Sequence, residues 1–283
     1  MRRSIAVVGL GKDVGKTVTA FALARAAQRA GITVALTSVG RDGEVHDVVT
    51  TYPKPRLVMP AGSVIATATV LLPRSPAVEV LELTEHLTAL GPVAIVRLRA
   101  ECTVGLGGPS TGVAMRNLVD RLKNYAELVV MDGAVDRLAA TAGGDDAIVV
   151  STGAAIAPTL QGVVERTCAL VERLTIPGQP PAGAIEVEGA LTPSKAVDLL
   201  ARRDLERGIV VRDPLSLQLP AALLRALRSR ASVTCRRPLH VVAATVAAQG
   251  RERDVDPVAL ATAVARATGL CVYDIYRNAV AVS

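Results

Sequence analysis

Ile5-Ala6-Val7-Val8-Gly9-Leu10-Gly11-Lys12-Asp13-Val14-Gly15-Lys16-Thr17 is the stretch of sequence that decides the fold of this chain. Its first four residues are apolar and predict a β-strand, its glycines predict a tight turn, and the residues from Lys16 onward predict a helix. A strand, a glycine-rich turn and a helix in this order form a cradle for phosphate, because backbone N–H groups and the positive end of the helix dipole point at the anion. The residues that we predict to line the cradle are Gly9, Gly11, Lys12, Asp13, Val14, Gly15, Lys16, Thr17 and Val18.

Two side chains of this turn have specific predicted roles toward a bound nucleoside triphosphate. Lys16 is a catalytic residue that reaches the β- and γ-phosphates, and the hydroxyl of Thr17 is a ligand of Mg²⁺. The spacing departs from the strict pattern Gly-x₄-Gly-Lys-Ser/Thr, since Leu10 stands where that pattern has glycine and Gly9 lies one residue earlier. The alternative is an ordinary junction that carries Gly-Lys-Thr by chance, but the order of strand and helix favours the cradle.

Composition and charge narrow the class of protein. The chain has 283 residues, enough for one large domain or two small ones, and its single Phe and lack of Trp predict an aliphatic core. The net charge of +6 comes mainly from arginines scattered along predicted helices. No basic block is interleaved with aromatic residues, so the composition argues against a nucleic-acid partner. The nearest approach to a basic patch is formed by Arg225, Arg228, Arg230, Arg236 and Arg237.

The cysteines and the hydropathy pattern predict a cytoplasmic protein. Cys102, Cys168, Cys235 and Cys271 lie far apart in the sequence, which argues against a metal knuckle or a disulfide framework and suits a reducing cytosol. The first strand begins within four residues, which leaves no room for a signal peptide. No apolar run reaches the roughly 18 residues of a membrane-spanning helix, so we expect no membrane partner.

Strand and helix signals alternate along the chain, which predicts an α/β fold of the P-loop NTPase type, with a mostly parallel sheet covered by helices on both faces. Strands are expected at residues 5–8, 33–37, 93–96, 128–131, 147–150, 239–246 and 271–273. Helices are expected at residues 16–30, 76–90, 114–125, 159–174 and 257–268.

A proline-rich segment at residues 176–183 interrupts this alternation, because Pro180-Pro181 fits neither a helix interior nor a central strand. Beyond it the signals predict a small α/β unit. Its strands are expected at 184–187, 209–211 and 232–235, and its helices at 193–203 and 220–230. We interpret residues 180–237 as an insertion into a nucleotide-binding core formed by residues 1–179 and 238–283. A unit that is continuous with the core sheet is the alternative.

Residues 128–134 carry the second nucleotide signal, an apolar strand that ends in Asp132-Gly133. An acid at the carboxyl end of a strand binds Mg²⁺ directly or through water, so we predict Asp132 as a catalytic residue and a metal ligand opposite Thr17. The alternative is an ordinary Asp-Gly turn. Asp136 and Arg137 follow where a loop that senses the γ-phosphate would lie, although a surface ion pair is the default role for Arg137.

The segment after the second predicted strand, residues 37–47, is rich in polar side chains. Ligands of open α/β sheets bind outside the carboxyl ends of the strands, so this loop and the cradle share one edge. We predict Asp42 as a catalytic residue that positions water and Asp47 as a metal ligand, with Glu44 as a further candidate. A solvated loop is the alternative.

Two more segments are expected near this edge. The glycine-rich residues 105–112 precede a helix, for which Ser110 is a candidate cap. Residues 151–154 end the fifth predicted strand, close to the expected nucleotide. The guanine-reading Asn-Lys-x-Asp signature is absent, so ATP with Mg²⁺ is the expected cofactor.

The Gly-x₅-Gly-Lys-Thr form of residues 9–17, with residues 18–23 after it, resembles the P-loop of the dethiobiotin synthetase and cobyrinic acid amidase group. Residues 130–134 are similar to that group's strand ending in Glu-Gly-Ala-Gly-Gly, whose acid binds Mg²⁺, which implies the same role for Asp132. The chain departs from the group in three ways. Residues 37–40 replace the catalytic Lys-Pro of dethiobiotin synthetases, residues 243–247 lack the common adenine-contacting Asn, and the amidases' glutaminase domain is missing. Many proteins of this group form homodimers across the nucleotide face.

A second resemblance spans most of the chain. Residues 37–44, 66–68, 132–137 and 152–154 together look like a small P-loop family associated with adenosylcobalamin-dependent lysine 5,6-aminomutase. Members of that family act with a MutS-like ATPase as a reactivase. The resemblance therefore implies an ATP-driven helper that releases damaged cobalamin, with the aminomutase and the MutS-like ATPase as protein partners.

Three functions stay open at this point. The first is an ATP-hydrolysing accessory protein that acts on a partner. The second is a dethiobiotin-synthetase-like ATP-dependent ligase for a small carboxylate or carbamate, and the third is a nucleotide-binding regulator with negligible turnover. The missing Lys-Pro and the missing glutaminase domain favour the first.

Overall fold

The computed structural model describes residues 3–40, 46–47, 50–53, 57–73, 76–134, 147–250, 254–277 and 279–281. Its strands are β1 (Arg3–Gly9), β2 (Val34–Ser38), β3 (His46–Asp47), β4 (Thr50–Pro53), β5 (Leu57–Met59), β6 (Val64–Ala68), β7 (Val78–Thr88), β8 (Gly91–Leu98), β9 (Cys102–Val104), β10 (Leu128–Ala134), β11 (Ala147–Gly153), β12 (Ile185–Glu186), β13 (Ile209–Val211), β14 (Val233–Cys235), β15 (His240–Ala247), β16 (Val272–Asp274) and β17 (Ala279–Ala281). Its α-helices are α1 (Lys16–Arg29), α2 (Gly112–Leu122), α3 (Leu160–Leu174), α4 (Pro193–Leu200), α5 (Ala221–Arg228) and α6 (Pro257–Thr268).

Ten strands form one sheet in the order β17-β16-β15-β11-β1-β10-β2-β6-β8-β7. The strands from β16 to β6 in this order are parallel to one another. The pairs β16–β17, β6–β8 and β8–β7 are antiparallel. Parallel strands are buried on both faces, which explains why β1 and β10 are apolar along nearly their whole length. The two small strand pairs β3–β4 and β5–β9 lie outside this sheet.

Helices cover both faces of the large sheet. Val7 of β1 belongs to the apolar cluster that includes Ala20 and Ala24 of α1. Its neighbours Ala6 and Val8 belong to the cluster on the other face, which α2, α3 and α6 supply with apolar side chains. Successive side chains of a strand point to opposite faces, so β1 joins the two halves of the core. The predicted α/β class, with a large and mostly parallel sheet flanked by helices, is confirmed.

The expectation of a helix at residues 76–90 is wrong, because this segment forms the edge strand β7. The apolar residues Val80, Leu83 and Leu87 have the spacing of one helix face, which made the helix plausible. In the structure the segment instead forms a hairpin with β8, and the strand carries two irregularities of register. Those three side chains are exposed by 54%, 68% and 76%, so pairing with β8 decided the conformation where burial did not. The strands β5, β6 and β9 were not predicted either.

Residues 185–235 contain a second, three-stranded parallel sheet in the order β12-β13-β14. Side chains from α4 and α5 pack with it in an apolar cluster of its own, which includes Leu199, Ile209, Leu224 and Val233. The chain then returns to the large sheet at β15. The domain boundaries at 179 and 238 stay a prediction.

No helix in the part of the chain that the structure describes has the length and hydropathy needed to cross a membrane. All four cysteines are free thiols.

Candidate functional site

The candidate site lies where β1 and β10 end side by side. The two strands are parallel neighbours, with Val7 opposite Asp132 and Gly9 opposite Ala134. The glycine-rich loop after β1 and the acid of β10 are therefore brought to the same edge of the sheet by direct strand pairing. This is the edge at which open α/β sheets bind ligands.

The loop curls tightly before α1 begins. Asp13 has a φ of 60°, in the left-handed region that Asp tolerates better than most residues. Gly15 is the N-cap of α1, with φ 79° and ψ 18°, and it offers no side chain to accept hydrogen bonds from the first helical turn. The first N–H groups of a helix have no partner within the helix, so this end of α1 is suited to an anion.

Gly9 is required by the close approach of the lysine. A Cβ on Gly9 would lie 2.6 Å from Cγ of Lys16 and 2.7 Å from Cγ2 of Val14. The stem of Lys16 therefore crosses directly over Gly9, and its Nζ donates a hydrogen bond to the carbonyl oxygen of Gly11. This contact gives the glycine at position 9 a physical reason, although it lies one residue earlier than in the strict pattern.

The hydroxyl of Thr17 donates a hydrogen bond of 2.6 Å to Oδ2 of Asp132. Asp132 is 1% exposed, so its carboxylate is held within the sheet edge at the start of α1. The carbonyl oxygen of Asp132 accepts a hydrogen bond of 2.8 Å from the N–H of Val39, which ties β10 to the segment after β2. Two of the three predicted metal ligands, Thr17 and Asp132, are thus in contact.

The donor set at this point fits Mg²⁺. A hydroxyl and a carboxylate oxygen are hard ligands of the kind that Mg²⁺ prefers, and this ion usually takes only one or two protein oxygens together with phosphates and waters. Within the described ranges, no group of three or more His, Cys, Asp or Glu side chains is placed to hold a metal. Thr17 and Asp132 are the residues that would hold Mg²⁺.

The remaining predicted cradle residues differ in exposure. Lys12 and Asp13 are exposed, whereas Val14 is fully buried and can offer a phosphate only its backbone. A Cβ on Gly11 would make an ordinary van der Waals contact with Cγ2 of Ile156 at 3.5 Å. Val18 lies half-buried in the first turn of α1.

The structure does not describe the side chains of the acids predicted in the loop after β2. Asp42 and Glu44 lie outside those residues, as do Asp136 and Arg137. Asp47 belongs to β3, but its side chain is not described. The catalytic role of Asp42 and the metal-ligand role of Asp47 stay predictions.

The glycine-rich residues 105–109 pack against the carboxyl ends of β2 and β6. The N–H of Ala68 donates to the carbonyl oxygen of Gly107 at 2.8 Å, and a Cβ on Gly108 would lie only 2.2 Å from the carbonyl oxygen of Ser38. This loop therefore flanks the Asp132 side of the edge. The cap of α2 is Thr111, whose hydroxyl accepts from the N–H of Ala114, and not the expected Ser110.

Sequence reasoning missed a buried cluster of three hydroxyls beneath α1. The Ser151 hydroxyl lies 3.2 Å from that of Thr19 and 2.9 Å from that of Thr245, and the last two are 2.8 Å apart. Ser151 thus joins helix α1 to strands β11 and β15, and its side chain is buried among hydroxyls. Three polar residues in otherwise apolar elements were the available signal, but nothing in the sequence pairs them.

It also missed the turn after β16, which reaches the cradle. A Cβ on Gly15 would lie 2.4 Å from Cδ1 of Ile275 and 3.7 Å from Cβ of Ala247. Ile275 therefore packs directly on the N-cap of α1. No local pattern near residue 275 indicates this contact.

No protein-family model, no curated protein and no solved structure matches this chain.

Proposed function

We propose that this chain binds a nucleoside triphosphate with Mg²⁺ at the loop of residues 9–17 and hydrolyses it, with ATP as the nucleotide. The observation that carries the proposal is the 2.6 Å contact between Thr17 Oγ1 and Asp132 Oδ2 at the start of α1. It joins a hydroxyl of the glycine-rich loop to an acid at the end of the neighbouring strand, as phosphoryl-transfer sites of the P-loop class require.

The loop supports the phosphate half of the proposal. Positive φ angles at Asp13 and Gly15 curl the backbone before α1, and a backbone curled in this way can turn its N–H groups toward an anion. Lys16 stands at the start of this helix and adds a positive charge. Together these groups neutralise the charge of phosphate oxygens and hold them in one orientation.

Thr17 and Asp132 support the metal half. When bound, Mg²⁺ would neutralise charge on the β- and γ-phosphate oxygens. Thr17 offers a neutral oxygen and Asp132 a negative one, and the strand register keeps them close. Asp132 is the residue that we expect to matter most for hydrolysis.

The end of β2 favours an accessory ATPase over the ligase alternative. Ser38 is fully buried and Val39 is 3% exposed, and the hydroxyl of Thr37 donates to the carbonyl oxygen of Ala66. This segment carries no cation where dethiobiotin synthetases have their catalytic lysine. The action on a partner protein, including the reactivation of an adenosylcobalamin-dependent lysine aminomutase with a MutS-like ATPase, rests on the sequence resemblance alone.

Calorimetric titration of the chain with ATP, with and without Mg²⁺, tests the proposal. We expect binding that Lys16→Ala weakens by roughly 100-fold, because the variant loses a charged partner of the phosphates and little of the core. The matched control is Lys195→Ala, since Lys195 lies on α4 in the three-stranded unit and donates to the carbonyl oxygen of Glu188. Unchanged ATP affinity in Lys16→Ala would overturn the proposal.

A turnover assay separates the accessory role from the ligase. Phosphate release is measured with the chain alone, with a lysine aminomutase and a MutS-like ATPase, and with small carboxylic acids. The accessory role predicts stimulation by the proteins. High turnover that depends only on a small carboxylic acid would favour the ligase.

A further inference from the structure

The turn after β16 is held in a defined shape beside the cradle. Asp274 is 3% exposed, and its Oδ1 accepts hydrogen bonds from the N–H groups of Tyr276 at 2.9 Å and Arg277 at 3.2 Å. A buried carboxylate that accepts two backbone N–H groups fixes the residues that follow it. Ile275 and Tyr276 are therefore presented at a constant position at the carboxyl end of the sheet.

This turn touches the loop through Ile275. Because Cδ1 of Ile275 lies 2.4 Å from where a Cβ of Gly15 would be, its side chain occupies the space above the N-cap of α1. The contact fixes the position of the turn relative to the glycine-rich loop. Tyr276 is the next residue, so its backbone follows directly from a residue that is packed on the loop.

Tyr276 is an exposed aromatic side chain at this position. It is 52% exposed, although the chain has only four Tyr, one Phe and no Trp. Partial burial raises the pKa of its hydroxyl, and the negative charges of Asp13 and Asp274 raise that pKa further. Geometry places Tyr276 near the loop independently of that pKa, because its chain neighbour Ile275 packs on Gly15.

The strand order decides on which side of the loop a nucleoside would lie. The Thr17–Asp132 pair lies toward β10, on one side of β1, and these two residues would hold a metal that neutralises charge on the terminal phosphates. The other side of β1 carries β11, β15 and β16, and so the turn with Tyr276. A nucleotide whose terminal phosphates lie toward Asp132 therefore extends its base toward Tyr276.

We propose that the ring of Tyr276 stacks on the nucleobase of the bound nucleotide, with Ile275 and Asp274 holding the ring in place. This assignment rests on the proposed nucleotide-binding function and adds a base-binding residue to it. Aromatic rings bind bases through their faces, and such a contact needs no hydrogen bond to the edge of the base.

The test compares ATP with inorganic tripolyphosphate, which has the phosphates but no base. Calorimetric affinities for both are measured in Mg²⁺ for the wild-type chain, Tyr276→Ala, Tyr276→Phe and Tyr273→Ala. We expect Tyr276→Ala to weaken ATP binding by about 5- to 150-fold and to leave tripolyphosphate binding unchanged. Tyr276→Phe retains the ring and should bind ATP as the wild type does. Tyr273 is a matched control, because it is 43% exposed on the preceding strand.

The outcomes separate this assignment from the proposed function. If the wild type binds both ligands but Tyr276→Ala binds ATP as tightly as the wild type, the stacking assignment is overturned and the nucleotide site survives. An equal loss of ATP and tripolyphosphate in Tyr276→Ala also overturns it, since that result means a damaged cradle. A wild-type chain that binds neither ligand overturns the nucleotide function itself.

Discussion

The hydroxyl of Thr17 donates a hydrogen bond of 2.6 Å to the carboxylate of Asp132, which lies 115 positions later in the chain. The contact joins the first turn of α1 to the end of β10, and parallel pairing of β10 with β1 holds it in register. A hydroxyl and an acid that are far apart in sequence thus form one oxygen-rich point beside the phosphate cradle. Four predictions follow. Two concern this edge, one concerns the core beneath it, and one concerns the cysteines.

Asp132→Asn should separate nucleotide binding from hydrolysis. The amide keeps the size of the side chain but removes the negative charge of the carboxylate that we propose as a ligand of Mg²⁺. ATP affinity should change by less than about tenfold, whereas turnover should fall roughly 100-fold, as measured by titration and phosphate release. Asp120→Asn is the control, because Asp120 is an exposed residue that pairs with Lys123 on α2. Equal losses of affinity and turnover would contradict the metal role.

Gly9→Ala should weaken ATP binding without unfolding the protein. Its new Cβ would lie 2.6 Å from Cγ of Lys16, so the lysine stem must leave its present path. We expect about tenfold lower ATP affinity and a loss of about 1–3 kcal/mol in the free energy of unfolding. Gly105→Ala is the control, because its Cβ would meet Leu71 at an ordinary 3.5 Å. Wild-type ATP affinity in Gly9→Ala would show that the position of Lys16 does not matter.

The buried hydroxyls of Thr19, Ser151 and Thr245 should show non-additive energetics. Thr19→Val leaves Ser151 and Thr245 bonded at 2.9 Å and should cost about 1–2 kcal/mol of unfolding free energy. Adding Thr245→Val leaves the Ser151 hydroxyl buried without these partners and should cost about 2–4 kcal/mol in total.

The triple variant Thr19→Val, Ser151→Ala, Thr245→Val should be more stable than the double variant. It removes the Ser151 hydroxyl, which has lost its two partners in the double variant. Replacement of a whole buried network by apolar groups is often tolerated. Urea unfolding of the three single variants, the double variant and the triple variant measures these differences. A triple variant whose loss equals the sum of the single losses would mean that the hydroxyls do not act as a network.

Cysteine labelling should distinguish Cys235 from Cys271. Burial raises the pKa of the Cys235 thiol to about 11, and this residue is fully buried, whereas Cys271 is exposed. The thiolate is the reactive form, so at pH 8 roughly one Cys235 in a thousand is reactive even before access is considered. Iodoacetamide followed by peptide mass analysis should modify Cys271 in the native protein and Cys235 only after unfolding. Equal native rates for Cys235 and Cys271 would contradict the packing of β14.

Most strands of the parallel sheet, though not β6, could be predicted because their apolar runs lie between glycines, prolines and polar turns. β10 illustrates this, since Val129 and Met131 are buried on one face and Val130 on the other, as is usual for a strand inside a parallel sheet. Residues 76–90 could not be predicted in the same way, because the spacing of Val80, Leu83 and Leu87 fits a helix. Pairing with β8 overrode that local preference.

The residues of the candidate site also fall into those that the sequence predicts and those that it does not. Gly9, Lys16, Thr17 and Asp132 could be named from the sequence, because each belongs to a short pattern with its own chemistry. Ile275 could not be named in this way. Its contact with Gly15 depends on the order β11, β15, β16 in which the strands follow one another outward from β1.

The sequence by itself determined the α/β class, the glycine-rich loop and the residue types suited to phosphate and Mg²⁺. These properties arise from backbone preferences and side-chain chemistry within a few neighbouring residues. Only the tertiary structure decided that Thr17 meets Asp132, that Lys16 crosses Gly9, and that Ile275, the neighbour of Tyr276, packs on Gly15. The contacts of Thr17 and of the Tyr276 turn join segments separated by more than a hundred residues, so strand order and packing specify them, and no local pattern does. The crossing of Lys16 over Gly9 depends on the folded conformation of the loop.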